Sequence, residues 1–195
     1  PTWKLFGPRG SGNGLGNRNY GLPRFEKGSF RARFPFGIID LEDKDIPLDV
    51  KITGWSPFIP TDEDNSSLPV GVLEYSFKNR SKEVIEAVFS YNARNFIDDG
   101  GYISEQKNGF RMSKAGMDKN DGIGGFAVYL DDNNAVTDHC WFRGGWFDSQ
   151  TILWDNIRSA KIIGNAPIEG VSPGASVYLP VNLNPGEEKT VKVNF

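Results

Sequence analysis

The sequence predicts an all-β fold, a β-sandwich of mainly antiparallel strands with long Gly/Asn-rich loops. Three observations support this class. Several short segments alternate apolar and polar residues, the period of a half-buried strand. Glycine (23 residues) and proline (12) are frequent, as expected where short strands alternate with turns. No segment shows the long apolar run at helical spacing that an amphipathic helix needs.

The strand pattern begins at residue 30 with FRARFPFGIIDLED, in which Pro35 indicates an edge or a bulge. The loop-rich middle, residues 97–125, contains a short strand near Phe110 to Met112. Residues 149–160 can form one or two helical turns. The remaining predicted strands are LDVKITGW (48–55), VGVLEYSFKN (70–79), EVIEAVFSYNARNF (83–96), FAVYLDD (126–132), TDHCWFRGG (137–145), ASVYLPVNL (175–183) and KTVKVNF (189–195).

The chain is predicted to consist of a lead-in loop and one domain. Residues 1–29 are irregular, and the Gly- and Asn-rich run at 7–21 sustains neither a helical nor a strand period. Residues 30–195 then form a single β-sandwich domain that we expect to lack its first strands. The chain begins with Pro1, which indicates a processed or excised piece. Missing strands leave an open sheet edge and apolar surface, so we expect the isolated chain to oligomerise or to need its absent neighbours.

Composition excludes several function classes. The net charge of −3 and pI near 5.3 argue against nucleic acid as a partner, because phosphate binding needs a concentrated basic surface. Cys140 is the only cysteine, which excludes an internal disulfide and a thiolate zinc cluster. Cytoplasmic, periplasmic and secreted locations all stay open. The sequence contains no apolar run of transmembrane length.

No motif predicts a catalytic residue, a metal site or a cofactor. The run DKNDGIGG (118–125) lacks the alternating oxygen ligands of a calcium loop. His139 is the only histidine, and Cys140 beside it points to the opposite face if this segment is a strand. The chain has 25 acidic residues, so chance pairs of carboxylates do not by themselves predict glycoside hydrolysis.

The aromatic cluster CWFRGGWFDSQTILW (140–154) supplies the candidate sugar contacts. Trp141, Trp146 and Trp154 can stack on sugar rings, and Arg143 and Asp148 can hydrogen-bond hydroxyl groups. The alternative is that these aromatic residues belong to the core or to an interface of the sandwich, since aromatics dominate burial in such folds.

An acidic run, Asp62 to Asp64, lies within SPFIPTDEDNSSLPVG (56–71) and raises the question of a catalytic or metal site. We interpret the segment as a proline-bounded crossover between two strands. Its two prolines fix an extended entry and exit, and its two serines can hydrogen-bond the backbone of the turn.

This segment resembles the N-terminal domain of family 116 glycoside hydrolases, the family of the bile-acid β-glucosidases. These proteins share a stretch of the form S-P-[FIL]-I-P…D-S-S-L-P-V, followed by a strand that ends in an Asn-centred turn. Asn65 stands where the family commonly has Asp, and the family's Gly-rich opening has no counterpart in this chain. The similarity covers 30–95 well and 125–195 loosely. The matching residues are Ser56, Pro57, Ile59, Pro60, Ser66, Ser67, Leu68, Pro69, Val70 and Asn79.

The resemblance implies an accessory, non-catalytic domain of a β-glucosidase or glucosylceramidase. In the family, a C-terminal (α/α) barrel supplies the nucleophile and the acid/base of a retaining mechanism, so no residue of this chain inherits either role. The sandwich is expected to pack on that barrel through the motif residues and to shape its active site, with a β-glucoside or glycolipid as the substrate of the parent enzyme. We therefore expect the chain alone to be inactive.

Two alternatives remain open at this point. One is an independent carbohydrate-binding module that uses the aromatic cluster, and the other is a structural sandwich with no ligand.

Overall fold

The computed structural model describes residues 24–97, 101–114, 124–144 and 149–195. Within them the chain forms short strands and two helices. Their bounds are β1 Lys27–Arg33, β2 Phe36–Glu42, β3 Leu48–Trp55, α1 Glu63–Ser66, β4 Val72–Asn79, β5 Ile85–Arg94, β6 Tyr102–Gln106, β7 Gly109–Ser113, β8 Phe126–Leu130, β9 Val136–Asp138, α2 Ser149–Arg158, β10 Gly174–Leu183 and β11 Glu188–Asn194.

The strands form two antiparallel sheets, which confirms the predicted β-sandwich. Counted over the described residues, the larger sheet has eight strands in the order β1-β2-β3-β4-β11-β8-β7-β6, and the smaller has three in the order β5-β10-β9. Along its whole length β10 pairs with β5, and its first half also pairs with β9. Neither helix in the described ranges has the length and hydrophobicity needed to span a bilayer.

The core lies between the two sheets and is built around β10. Val177, Leu179 and Val181 alternate along this strand, as the sequence predicts, and all three are buried. Each such side chain contributes roughly 1.5–3 kcal/mol by leaving water. Their partners on the larger sheet are the buried residues Ile103, Phe110, Met112, Val128, Leu130, Val191 and Val193.

The smaller sheet covers only part of the larger one. On β5, the Phe89 ring lies 5.1 Å from the ring of Tyr75 and 6.0 Å from that of Phe77, so β5 packs over β4. Farther out, the inner face of β1 and β2 is less covered, and Phe30 stays 68% exposed. Among the described residues, the smaller sheet therefore covers the middle of the larger sheet and leaves its β1 side uncovered.

Most predicted strands are confirmed with small changes of boundary. The strand pattern begins at Lys27 rather than at residue 30, and it forms a hairpin rather than one extended segment. Pro35 lies in the turn of this hairpin after a cis peptide bond. β6 was not predicted, because its sequence YISEQ does not alternate: the apolar Ile103 and the charged Glu105 fall on the same face. The two residues that join β6 to β7 are Lys107 and Asn108, and Asn108 has a positive φ of 57°, a conformation that Asn tolerates better than most residues.

Two other expectations need correction. α2 spans ten residues, which is longer than one or two turns. The predicted strand at 137–145 ends at Asp138. Beyond it, the carboxylate of Asp138 accepts a hydrogen bond from the backbone N–H of Cys140 (3.1 Å), and the carbonyl of Asn165 accepts one from the backbone N–H of His139 (3.1 Å). The first bond closes a local turn and the second joins His139 to a distant segment, so neither is part of a sheet ladder.

Asn79, the family-motif residue that ends β4, joins the turns at one end of the sandwich. Its side chain is 1% exposed, and Nδ2 donates to the carbonyls of Glu83 (2.7 Å) and Leu183 (3.0 Å). Oδ1 accepts from the backbone N–H of Ser81 (2.8 Å), and the backbone N–H of Asn79 donates to the carbonyl of Glu187 (2.9 Å). One amide therefore holds the β4–β5 turn against the β10–β11 turn.

Replacing Asn79 by Ala is expected to lower the free energy of unfolding by about 2–4 kcal/mol, since it leaves two carbonyls and the partly buried N–H of Ser81 without their partner. Urea denaturation measures the change. The matched control is Asn184→Ala, because the Asn184 side chain makes an exposed hydrogen bond to Glu187 in the neighbouring turn. We expect this variant to lose no more than about 1 kcal/mol of its free energy of unfolding. Equal losses in the two variants would contradict the role assigned to Asn79.

Candidate functional site

The β3–β4 loop, residues 56–71, carries the family motif and contains α1. β3 and β4 are neighbours in the larger sheet, paired from Leu48↔Asn79 to Trp55↔Val72. The segment is therefore a long hairpin loop within one sheet, which corrects its interpretation as a crossover. It lies at the end of the sheet where the β1–β2 turn also lies, because Phe36 pairs with Trp55.

Hydrogen bonds within the loop fix its conformation. Ser66 Oγ accepts from the backbone N–H of Ile59 (2.9 Å) and donates to the Ile59 carbonyl (3.1 Å), which joins the two halves of the loop. Ser67 Oγ donates to the carbonyl of Asp64 (3.1 Å). Both motif serines thus bond to the backbone of the turn, as the sequence predicts.

The acidic run serves local structure. Asp62 is the N-cap of α1: Oδ1 accepts from the backbone N–H of Asn65 (3.0 Å), and Oδ2 accepts from Asn65 Nδ2 (2.6 Å). These two hydrogen bonds lower the pKa of the Asp62 carboxyl. Glu63 and Asp64 are exposed in the first turn, where negative side chains are favourable. Within the described ranges, no group of three or more His, Cys, Asp and Glu residues could hold a metal ion.

Asn65, which departs from the commonest family residue, has a defined role here. Its side-chain amide donates to Asp62, an interaction that an ionised Asp at this position could not make because a carboxylate only accepts hydrogen bonds. The Asn therefore removes a like-charge contact within the acidic run and adds a bond to the helix cap.

The loop exposes apolar side chains although its backbone is held in place. We call Phe34, Phe58, Ile59, Leu68 and Val70 the loop surface; every one of these side chains is exposed. Phe34 is 76% exposed, and its ring meets that of Phe58 edge to face at a centroid distance of 4.7 Å. Apolar residues gathered at one end of a soluble domain mark an interaction site more often than chance exposure.

The last residue of the chain lies beside this loop. The backbone N–H of Phe195 donates to the carbonyl of Gly71 (2.9 Å), and the N–H of Gly71 donates to the carbonyl of Phe195 (3.4 Å). The Phe195 ring packs on Tyr91 and Phe126 at 5.4 and 5.7 Å. Position 195 is therefore fixed at the same end of the sandwich as the loop surface.

The structure describes three of the five candidate sugar contacts, one buried, one half-buried and one exposed. Trp141 is 5% exposed, and its indole N–H donates to Ser176 Oγ (2.8 Å). Its ring lies on Gly174, where a Cβ would come within 2.5 Å of it. This placement is that of a core residue, the alternative considered from the sequence. Arg143 is exposed and Trp154 is half-buried, whereas Trp146 and Asp148 lie outside the described residues. A sugar-binding role for these five positions stays a prediction.

A buried polar cluster surrounds Asp138 at the end of β9. Its Oδ1 accepts from Asn165 Nδ2 (3.0 Å) as well as from the Cys140 backbone. His139 Nδ1 donates to the Asn165 carbonyl (2.8 Å), and Cys140 Sγ donates to the Trp141 carbonyl (3.4 Å). The imidazole and the thiol are thus each bonded to a backbone carbonyl rather than to one another, so they form no Cys–His pair.

Burial raises the pKa of the Asp138 carboxyl, against the hydrogen bonds from Asn165 and Cys140 that lower it. Burial also raises the pKa of the neighbouring Tyr178 hydroxyl. These groups stand on the outer side of the smaller sheet, away from the loop surface, and they tie residues 139–141 and 165 to the sheet.

The fold and the loop surface define an antiparallel β-sandwich with one preorganised apolar end. A family model described as beta-glucosidase 2, glycosyl-hydrolase family 116 N-term, matches residues 4–195. The chain therefore belongs to the family of N-terminal domains of family 116 glycoside hydrolases. The match begins at residue 4, which corrects the expectation that the similarity starts at residue 30: it includes the Gly- and Asn-rich run at 7–21 of this chain. No curated protein matches the chain.

Replacing Asp138 by Asn is expected to change how stability depends on pH. Because the folded-state pKa of Asp138 is raised, ionisation opposes folding: the penalty is absent below the unfolded pKa of about 4 and develops as the pH rises through the folded value. Asn keeps an acceptor for Asn165 and Cys140 but carries no charge. The stability of the variant relative to the wild-type chain should therefore increase from pH 4 to pH 7, measured by urea denaturation.

Asp138→Ala is the control for this experiment, because it removes the charge and the acceptor together. We expect it to be less stable than Asp138→Asn at every pH, since Asn165 and the Cys140 N–H lose their partner. Parallel pH profiles for the wild-type chain and Asp138→Asn would show that the burial of this carboxylate has no energetic consequence.

Proposed function

We propose that this chain is the accessory, non-catalytic sandwich of a family 116 β-glucosidase-like enzyme. Membership in an N-terminal domain family implies a catalytic partner domain in the parent enzyme. In the proposed arrangement the sandwich packs on that helical barrel and shapes the rim of its active site. The observation that carries the proposal is the loop surface, in which motif residues expose apolar side chains on a rigid backbone.

Rigidity of the loop favours a role in recognition. The hydrogen bonds of Ser66 and Asp62 already hold the loop in one conformation, so a partner that covers Phe58 or Leu68 does not have to order it first. Ordering flexible segments is one of the main costs of association. Covering one large apolar side chain contributes roughly 1.5–3 kcal/mol, so a few of them suffice for a stable interface between domains.

The position of Phe195 supports the barrel as the occupant. A domain joined to the C-terminal side of this residue starts next to Gly71, within the loop that carries the motif. Such a tether raises the effective concentration of the partner to the order of millimolar, which makes a modest apolar surface sufficient. A β-glucoside or glycolipid substrate is part of the same proposal and follows from the family resemblance alone.

An independent carbohydrate-binding module is the second candidate. It is favoured by the exposed side chains of Phe142 and Arg143 next to the buried Trp141. Because the faces of Trp141 are packed, a sugar platform in this region depends on Trp146 and Asp148. A structural sandwich with no ligand is the third candidate. It is favoured if the experiments detect neither association with the barrel nor sugar binding.

Replacing both Phe58 and Leu68 by Ser in a family 116 enzyme carrying this domain is expected to weaken the association of the sandwich with its barrel by at least about tenfold. Titration of separately produced domains measures the association, and kcat/KM of the joined enzyme reports on the active site. Ile162→Ser is the matched control, because Ile162 is also exposed but is not part of the loop surface. In the isolated chain, the free energy of unfolding of each variant should differ from the wild-type value by no more than about 0.5 kcal/mol per substitution. Equal association in the double variant and the control would contradict the interface.

The isolated chain is expected neither to hydrolyse aryl β-glucosides nor to bind oligosaccharides. Turnover measures the first property, and tryptophan fluorescence during oligosaccharide titration measures the second. Saturable quenching that is lost in Trp146→Ala would favour the carbohydrate-binding module. Turnover by the isolated chain would overturn the non-catalytic assignment.

A further inference from the structure

Exposed apolar side chains are concentrated at the end of the sandwich that carries the loop surface. β5 also ends here at Arg94, opposite the first residue of β10, and β11 reaches the same end just before Phe195. In the described turns at the other end, Val84 is the only exposed aromatic or branched aliphatic side chain. The two ends therefore differ in polarity, and the end with the loop surface is the one suited to a partner.

The side chain of Asn95 connects several backbone segments just beyond β5. Its Nδ2 donates to the carbonyls of Gly101 (2.9 Å) and Ser172 (3.3 Å), and its Oδ1 accepts from the backbone N–H of Ile97 (3.3 Å). The backbone N–H of Asn95 donates to the carbonyl of Pro173 (3.0 Å). One residue therefore holds the end of β5, the start of β6 and the approach to β10 in fixed positions.

The residues next to these fixed positions expose apolar side chains. We call Phe96, Tyr102 and Val171 the second apolar surface; all three are exposed, Phe96 by 63%. The Phe96 ring packs edge to face on Phe126 at a centroid distance of 5.0 Å, and Phe126 stacks on Phe195 at 5.7 Å. The core therefore holds one side of the Phe96 ring in place while most of its surface faces water.

The second apolar surface is built in the same way as the loop surface. In each, a polar side chain bonds to the local backbone, Ser66 in the loop and Asn95 beyond β5, and the neighbouring apolar side chains are exposed. Single exposed apolar residues are ordinary on protein surfaces, whereas groups of them mark interaction sites. A group on a fixed backbone also costs little to order when a partner binds.

The two surfaces are close enough for one partner to cover both. Phe195 is hydrogen-bonded to Gly71 at the end of the loop, and its ring is joined to Phe96 through the ring of Phe126 alone. An interface of about 800 Å² per partner is roughly 30 Å across, which is wider than this series of ring contacts.

We infer that the catalytic partner domain of the parent enzyme covers the second apolar surface together with the loop surface, so that the interface includes the ends of both sheets. This inference rests on the proposed function, because it extends the same interface to residues outside the family motif. The five side chains of the loop surface offer about 500 Å² at roughly 100 Å² each, which is less than the area of a standard interface. Phe96, Tyr102 and Val171 supply much of the difference.

The catalytic domain is favoured over a second copy of the chain as the occupant. Membership in an N-terminal domain family implies a catalytic domain in the same enzyme. A covalently joined domain has an effective concentration on the order of millimolar, far above that of a second copy in dilute solution. An apolar surface of this modest size therefore suffices for the joined domain but not for a stable dimer.

Oxidative footprinting of an intact family 116 enzyme that carries this domain tests the inference. Hydroxyl radicals modify exposed Phe and Tyr side chains, and the rate falls when a partner covers them. We expect Phe96 and Tyr102 to be oxidised at least about fivefold more slowly in the intact enzyme than in the isolated chain, and Phe58 to be slowed as well. Phe30 is the matched control, because it is similarly exposed but lies in the middle of β1, and its rate should be unchanged.

The pattern of protection separates this inference from the proposed function. Slower oxidation of Phe58 with an unchanged rate at Phe96 would overturn the inference and leave the loop interface standing. Unchanged rates at both residues would overturn the inference and the loop interface together. Protection of Phe96 in the isolated chain that increases with protein concentration would assign the second apolar surface to a contact between copies, which also overturns the inference.

Photo-crosslinking supplies an independent readout in the same intact enzyme. A benzophenone amino acid in place of Phe96 should form crosslinks to peptides of the catalytic domain, because that domain covers the side chain. The matched control carries the same amino acid in place of Val84, which is exposed at the opposite end of the sandwich and should form none. Equal crosslinking from the two positions, or crosslinks from position 96 to another copy of the sandwich alone, would contradict the inference. The footprint uses the wild-type sequence, so the test does not depend on the folding of a variant.

Discussion

Burial of β10 between its two neighbours and the larger sheet is the constraint on which the rest of the fold depends. Val177, Leu179 and Val181 point into the core, while Ser176 and Tyr178 on the other side of the strand are buried as well. A strand covered on both faces and paired on both edges cannot shift its register without exposing one row of apolar residues and unpairing another. β10 therefore positions the elements around it. β5 and β9 pair with it, and the inner residues of β7, β8 and β11 share its core. Trp141, packed on Gly174 and bonded to Ser176, covers its outer face.

At the end of the sandwich that carries the loop surface, polar and apolar side chains are arranged differently from those of the core. Its polar side chains, among them Ser66 and Asp62, bond to the loop's own backbone, and its apolar side chains point outward. A loop that served only to connect β3 and β4 could be much shorter, because the two strands are adjacent and antiparallel. The family motif thus determines the conformation of the loop. Its two serines and the N-cap Asp62 hold the backbone in place, and that backbone exposes the side chains of Phe58, Ile59 and Leu68.

Much of the fold could be predicted from the sequence because its signals are local. The alternation in LDVKITGW places Leu48, Val50 and Ile52 on one face, and β3 has those bounds. The strand expected at 137–145 failed because Asp138 and Asn165, far apart in the chain, replace ladder bonds with side-chain bonds. Such contacts carry no local pattern. Trp141 could not be assigned for the same reason: a Trp suits a core and a sugar platform equally well, and only the position of Gly174 and Ser176 decides where its ring lies.

The attachment of Phe195 has a mechanical consequence. β11 lies inside the larger sheet, paired with β4 from Glu188 to Asn194 and with β8 at Val193 and Asn194. A force applied through residue 195 along the strand therefore acts in shear, and it loads a row of ladder hydrogen bonds together instead of opening them one after another. The hydrogen bonds between Phe195 and Gly71 continue that row to residue 195, so no unpaired residue lies between it and β11. Phe195 therefore moves with the larger sheet and does not hang from it as a loose end.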